Sequence, residues 1–172
     1  SINEKHFGKE DPKVDASLEA LGDLYQAQAK YAEAEPLYKR ALSINEKHLG
    51  KAHSKVVPSL SNLGHVYQRL AKYTEAELLF KRALSIEEKN FGKEHPDVAY
   101  HLRNLAIISK NLAKYAEAES LYKRALSIGE KNLGKEHPKV ANVLNNLANL
   151  YYEQAKYAEA EQLYKRAMSI NE

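Results

Sequence analysis

The chain has 172 residues, no cysteine and a formal net charge of +3 that is spread over many positions of mixed sign. The lack of cysteine excludes a disulfide framework, a thiolate metal site and a cysteine nucleophile, and it fits a reducing compartment, so we expect a cytoplasmic protein. No apolar run approaches the roughly 18 residues of a membrane span, and a small dispersed charge is weak support for nucleic-acid binding. We therefore expect neither a membrane nor a nucleic-acid partner.

The sequence repeats itself every 42 residues. The word SINE occurs at Ser1, Ser43 and Ser169, and the variants SIEE and SIGE begin at Ser85 and Ser127. A period of this size predicts a solenoid, in which each unit buries its apolar face against its neighbours. We expect repeats over residues 11–52, 53–94, 95–136 and 137–172, with residues 1–10 as the remnant of a preceding repeat, so that the chain is an excerpt from a longer array.

The first repeat predicts two antiparallel helices joined by a short turn. In the first, Val14, Leu18 and Leu21 are spaced by three and four residues, with Asp11 as a plausible N-cap and Pro12 as the first helical residue. After the break at QAKY the same spacing resumes, and Gly50 is placed to end the second helix. The apolar residues of that second helix are Ala34, Leu37, Tyr38, Ala41 and Leu42.

Two features depart from this simple pattern. The second repeat has Ser54 where the third and fourth have proline, and it carries Pro58 inside the expected first turn, so its first helix should start late or bend. The turn between the helices of each pair carries an alanine in place of glycine. Either that turn avoids the left-handed region or each copy costs roughly 1 kcal/mol. The four alanines are Ala29, Ala71, Ala113 and Ala155.

The pattern L-x-x-L-G-x-x-Y followed by A-x-x-x-Y-x-x-A resembles the signature of the tetratricopeptide (TPR) family. The first repeat carries it as Leu18, Leu21, Gly22, Tyr25, Ala34, Tyr38 and Ala41, and the second as Leu60, Leu63, Gly64, Tyr67, Ala76, Phe80 and Ala83. The longer 42-residue form is similar to the repeats of kinesin light chains and their bacterial relatives. The resemblance implies an all-α fold, a right-handed superhelical TPR solenoid of antiparallel helix pairs.

Histidines, tyrosines and charged residues favour structural roles. His53, His95 and His137 lie in matching loops one repeat apart, so they cannot converge on one metal ion, and a helix-end role is expected. The tyrosines fall into three repeat phases, which predicts core packing. Glutamate and lysine recur four residues apart, as in Glu35 and Lys39, which predicts a solvated outer face. We expect no metal, no cofactor and no enzymatic activity, because the sequence has no phosphate loop and no nucleophile paired with a base.

Variation between repeats concentrates on the first helix of each pair, on the face opposite the packing leucines. Asparagine there can pair with the backbone of an extended peptide, because its amide both donates and accepts. The alternative is that these are ordinary solvated helix residues. The predicted groove residues are Asn62, His65, Arg69, Arg103, Asn104, Lys110, Asn142, Asn145, Asn146 and Asn149.

These observations predict a non-enzymatic scaffold that binds a short extended peptide in a concave groove. The resemblance to kinesin light chains implies an acidic ligand with an aromatic anchor, which Glu19 and Asp23 of the first repeat would disfavour. The alternative function is a sensor or self-assembly array attached to a catalytic or signalling ATPase domain outside this segment. We also expect end-to-end self-association through an uncovered face that contains Leu163, Ala167, Met168 and Ile170.

Overall fold

A computed structural model describes residues 12–172, and their side chains from Val14 onward. Within this range the chain forms four helix pairs and no strand, so the predicted all-α architecture is confirmed. The predicted cap at Asp11 and the predicted helix remnant at residues 1–10 lie outside the described residues. The helices are α1 (Pro12–Ala27), α2 (Tyr31–Leu49), α3 (Val57–Arg69), α4 (Tyr73–Phe91), α5 (Pro96–Asn111), α6 (Tyr115–Leu133), α7 (Pro138–Glu153) and α8 (Tyr157–Asn171). The chain divides into two compact units, residues 1–86 and 87–172.

Histidine caps start three of the described segments, as the sequence predicted. The Nδ1 atoms of His53, His95 and His137 each accept a hydrogen bond from the backbone N–H two residues later, at 3.1, 3.3 and 3.1 Å. After His95 and His137 a proline opens α5 and α7 directly. After His53 the chain makes a short 3-10 turn over Ser54–Val56, and α3 begins only at Val57. The late start predicted from Pro58 is therefore confirmed.

The turn inside each pair adopts the left-handed conformation. Ala29, Ala71, Ala113 and Ala155 all have φ of 58°. Of the two alternatives that the sequence left open, the structure has the one in which each copy carries a backbone cost. The glycines that end the second helices, Gly50, Gly92 and Gly134, also have positive φ, at 88°, 87° and 89°, as expected for a helix terminus.

Close approach of the two helices of a pair depends on small residues. A Cβ atom built on Gly22 would lie 2.8 Å from the ring of Tyr38, and one built on Gly64 would lie 2.9 Å from the ring of Phe80. Both aromatic rings are fully buried. Gly22 and Gly64 of the repeat signature therefore allow the two helices of a pair to approach closely.

Each unit has its own apolar core. In residues 1–86 one cluster joins Val14 and Leu18 of α1 to Ala41 and Ile44 of α2. In residues 87–172 the corresponding cluster joins Val140 and Leu144 of α7 to Ala167 of α8, with Leu163 and Ile170 packed against it. Ala167 is 1% exposed, so the uncovered face predicted at the end of α8 does not include it.

The core-packing prediction is right for Tyr38, Tyr67, Tyr122 and Tyr151 and wrong for Tyr115 and Tyr157. Tyr38 and Tyr122 are buried, and Tyr67 and Tyr151 are each only 9% exposed. The phase at the start of the second helices packs less well, since Tyr115 and Tyr157 are 40% and 61% exposed. Tyr115 and Tyr157 are the first residues of α6 and α8.

Ion pairs recur along the second helices, as predicted. The lysines Lys39, Lys81, Lys123 and Lys165 pair with the glutamates one turn earlier at 2.5–2.6 Å. The lysines are more than half exposed, but the partner side chains Glu35 and Glu77 are only 14% and 9% exposed. The expectation of a fully solvated row is therefore wrong for these carboxylates. Hydrogen bonds from Lys39 and Lys72 hold the pKa of Glu35 below its usual value.

A second set of ion pairs joins the second helices of neighbouring repeats. Arg124 of α6 bonds Glu88 of α4 at 2.6 Å and the carbonyl of Lys93 at 3.1 Å. Arg166 of α8 forms an ion pair with Glu130 of α6, with 2.6 Å between nitrogen and oxygen. In residues 1–86, Arg82 makes the equivalent pair with Glu46. All three pairs are partly buried.

Candidate functional site

The predicted groove residues of the second repeat lie on α3, beside a cleft of about 610 Å³ that α1, α2 and α3 enclose. His65 and Arg69 line this cleft, whereas Asn62 is partly buried on the same helix. The Arg69 guanidinium donates to the hydroxyl of Tyr31 at 3.0 Å and lies 5.2 Å from the centre of its ring. His65 makes an edge-to-face contact with Phe80 at 5.2 Å. Both side chains are thus held in place by aromatic neighbours.

The predicted residues of α5 differ sharply in their surroundings. Asn104 is 2% exposed and its amide nitrogen has no hydrogen-bond partner. Arg103 is partly buried, its guanidinium lies 5.5 Å from the Tyr100 ring, and its Nε has no partner. Lys110 is paired with Glu153 of α7 at 2.6 Å, so its charge is neutralised within the chain. Arg103 and Asn104 therefore each carry a buried donor without a partner, whereas the charge of Lys110 is already paired.

The predicted asparagines of α7 form a ladder along one side of that helix. Asn142 and Asn149 are exposed, and Asn145 and Asn146 are partly buried. The side-chain carbonyl oxygen of Asn149 accepts a hydrogen bond from the Tyr164 hydroxyl. Asn149 takes the repeat position of Asp23, which accepts from Tyr38 at 2.5 Å in the first pair. Asn149, at one end of this row of asparagines, is therefore hydrogen-bonded to Tyr164.

A cleft of about 430 Å³ separates α5 from α7, and α6 forms its floor. Arg103 and Tyr100 line it from α5, Asn142 and Val143 from α7, and Gly129 from α6. The structure thus brings two predicted residues, Arg103 and Asn142, to one opening. The exposed cation Lys139 and the carboxylate of Asp97 also line the cleft.

In residues 1–86 the equivalent gap lies between α1 and α3, and a polar network closes it. The Asn45 amide of α2 donates to Asp15 of α1 at 2.9 Å and to Ser59 of α3 at 3.0 Å. The Ser59 hydroxyl in turn donates to Glu19 at 2.7 Å. Burial raises the pKa of both Asp15 and Glu19, against the lowering effect of these hydrogen bonds. The chain's own side chains therefore occupy the space that is open at the later position.

Sequence reasoning missed the residues that shape this cleft. Gly129 interrupts the SINE word as SIGE, and that substitution was the available signal. The contact of Tyr100 with Arg103 could not be predicted from residue spacing alone.

Residues 12–172 contain neither a metal-binding cluster nor a membrane-spanning helix. No group of three or more histidine, aspartate or glutamate side chains in this range is arranged to hold a metal ion. Of the helices in the same range, none has the length and apolar character needed to cross a membrane.

Comparison with family models decides the assignment. Models described as tetratricopeptide repeat match residues 16–54, 56–110 and 110–172. The chain belongs to the tetratricopeptide repeat family. TPR repeats mediate protein–protein interaction, so the chain is an interaction scaffold. The TPR fold is generally non-catalytic.

Solved structures place this TPR chain among kinesin-light-chain-like proteins. It is similar to BtubC (BKLC) from P. vanneervenii, with 32% identity and a TM-score of 0.79 over 92% of this chain. It spans 63% of that bacterial chain. It is also similar to a Podosopora anserina protein described as a putative kinesin light chain with nearly identical TPR-like repeats, at 28% identity and a TM-score of 0.84 over 99% of this chain and 81% of that one. A point variant of that protein gives 27% identity and a TM-score of 0.86, over 98% and 80% of the two chains. A comparison with curated protein sequences finds no significant match.

Proposed function

We propose that this TPR chain binds an extended peptide along the faces of α5 and α7, without catalysing a reaction. The observation that carries the proposal is the pair of unused donors on α5. Asn104 is buried with a free amide nitrogen, and Arg103 is held over Tyr100 with a free Nε. A buried donor without a partner costs free energy, and a backbone carbonyl of a ligand would remove that cost.

The neighbouring face of α7 supplies matching groups. Asn142, Asn145 and Asn146 lie along one side of that helix. Each of their amides can both donate to and accept from a peptide backbone. These residues lie in the same compact unit as Arg103 and Asn104. An extended peptide has unpaired backbone groups along its whole length, so a ladder of amides suits it better than a compact ligand.

An acidic peptide fits the charge of this unit better than a basic one. The unpartnered Nε of Arg103 can form a charge-assisted hydrogen bond with a carboxylate. Lys110 contributes less than the sequence suggested, because Glu153 neutralises it. In residues 1–86 the equivalent surface carries Glu19 and Asp23, so we propose that the acidic part of the ligand lies on residues 87–172. An aromatic anchor in the ligand remains an expectation from the family resemblance.

Peptide arrays with Arg103→Ala and Asn146→Ala test this proposal. Each change should leave the free energy of unfolding within about 0.5 kcal/mol of the parent, and each should weaken binding to acidic, aromatic-containing peptides. Lys135→Ala and Gln162→Ala are matched controls, because both residues are exposed and lie outside the proposed surface. If the strongest binders are basic, or if the controls weaken binding as much as the test changes do, the proposed site is wrong.

A further inference from the structure

The cleft between α5 and α7 is open because its floor carries Gly129. A Cβ built on Gly129 would meet only Val140 Cγ2, at 3.4 Å, so the fold has room for a side chain at this position. Gly22 and Gly64 differ, since a Cβ there would lie within 2.9 Å of an aromatic ring. Glycine inside a helix weakens it. Packing thus does not require Gly129, and what the glycine provides is the open volume.

The gap between α1 and α3 shows how side chains of the chain itself can fill this space. At the position of Gly129 the first repeat has Asn45, which bonds Asp15 and Ser59 across the gap. Ser59 completes the network by donating to Glu19 at 2.7 Å. Two carboxylates of the chain itself therefore occupy the gap between α1 and α3.

In the cleft between α5 and α7 the sign of the charge is reversed. Ala99 and Val143 replace Asp15 and Ser59, and Arg103 replaces Glu19. The cleft thus loses both carboxylates and gains a guanidinium whose Nε has no partner. Of the other charged side chains that line it, Lys139 and Asp97 cancel. The lining has a net charge of about +1, counted from Arg103, Lys139 and Asp97.

We propose that this cleft receives the carboxylate side chain of one aspartate or glutamate of the bound peptide, with Arg103 as its charge partner and Gly129 as the residue that admits it. The assignment rests on the proposed peptide-binding function and names the side chain that its site selects. The walls formed by Tyr100, Ala125 and Val143 suit the methylene groups of such a side chain. Gly129 acts here as a specificity-determining residue and Arg103 as a binding residue.

Selection from a random dodecapeptide display library tests the proposal on the full chain. The arms are the parent chain, Gly129→Asn, which installs the residue found at position 45, and Asn45→Gly, which opens the earlier gap. Circular dichroism checks that Gly129→Asn folds. The parent should enrich peptides with Asp or Glu at one fixed position. Gly129→Asn should lower that enrichment about tenfold or more, and Asn45→Gly should leave it unchanged.

A charge reversal gives an independent readout. Arg103→Glu should replace the acidic preference at the fixed position with Lys or Arg. Enrichment of Asp or Glu that survives Gly129→Asn, or peptides with no fixed acidic position, would overturn the cleft assignment while leaving the peptide-binding function intact. If the parent chain enriches no peptide at all, the proposed function itself fails, and the assignment falls with it.

Discussion

The alanine in the turn of each helix pair adopts a left-handed backbone conformation that costs free energy. Ala29 has φ of 58°, a region that a Cβ atom disfavours. Its conformation is fixed by two hydrogen bonds that end α1, from Ala29 N to the carbonyl of Gln26 and from Lys30 N to the carbonyl of Tyr25, each at 2.9 Å. This is the bonding of a helix terminus that usually places glycine at this position.

We predict that Ala29→Gly stabilises the chain. The change removes a Cβ cost of about 1–2 kcal/mol, and against this gain it adds a cost of about 0.4–1 kcal/mol from greater unfolded-state entropy. The free energy of unfolding should therefore rise by about 0.5–1 kcal/mol. Ala20→Gly, at an exposed site inside α1, is the control and should lower it by about 1 kcal/mol. Urea denaturation measures both, and equal losses for the two variants would contradict the strain argument.

Glu87 predicts a specific pH dependence. Its side chain is 7% exposed with one oxygen unpartnered, and burial, followed by repulsion from Asp97, raises its pKa. The raised pKa favours the protonated form in the folded state, so the stabilisation from Glu87 is present below the unfolded pKa, near about 4.3, and is lost as pH rises through the folded value. Each unit of difference is worth about 1.4 kcal/mol.

Accordingly, Glu87→Gln should be more stable than the parent at pH 7, and the advantage should shrink as the pH falls toward about 4. Denaturation of both proteins across this range measures the difference. Glu159→Gln, at an exposed site on α8, is the control and should show no such trend. An advantage that grows on acidification would show that the pKa is lowered instead.

At the scale of the element, helix ends were predictable because they depend on short-range chemistry. His95 and His137 before proline, glycine after the second helices and Pro58 in the second repeat all act within a few residues of the chain. The phase of Tyr115 and Tyr157 was misjudged because burial depends on the facing helix. A residue on the first turn can share the repeat period and still stay exposed, as Tyr157 does although its ring contacts Tyr152 of α7.

Glycines within the helices predict opposite outcomes for the same substitution. Gly22→Ala places a Cβ 2.8 Å from the Tyr38 ring and should destabilise the chain by about 1–2 kcal/mol. Gly129→Ala has room for its Cβ and should stabilise it by about 0.5–1 kcal/mol. Thermal unfolding of the two variants measures both effects. If Gly129→Ala is also destabilising, the cleft floor is packed more tightly than the structure indicates.

For the whole molecule, the sequence predicted the fold and the helices that carry the candidate site, but not its chemistry. The repeat period identifies equivalent positions, so Arg103 and Asn142 could be selected as variable residues. The period does not reveal that Lys110 pairs with Glu153, 43 residues later, or that Gly129 opens a cleft. Such features arise where side chains of different repeats meet, and their partners depend on rotamers that a one-dimensional pattern does not contain.

Self-association remains a whole-molecule prediction. One exposed apolar patch on residues 87–172 groups Tyr152, Tyr157 and Met168, which are 60%, 61% and 59% exposed. We propose that a second copy of the chain covers it, because exposed apolar patches favour association. Light scattering over a dilution series should show a molar mass that rises with concentration. Met168→Lys should suppress the rise, while Gln162→Lys should not, and a constant monomer mass would contradict the proposal.

The most direct test of peptide binding by α5 and α7 is an NMR titration of the isotope-labelled chain with the strongest peptide from the random-library selection. Two-dimensional ¹H–¹⁵N spectra report side-chain amides and the Arg Nε–H group individually. Binding at the proposed surface predicts saturable shifts for the amides of Asn104 and Asn146 and for Nε–H of Arg103. The amide of Asn132, which bonds the carbonyls of Glu94 and Ile128 at 2.9 Å, should not move. Shifts confined to Asn132 and its neighbours on α6, with Asn104 and Asn146 unchanged, would contradict it.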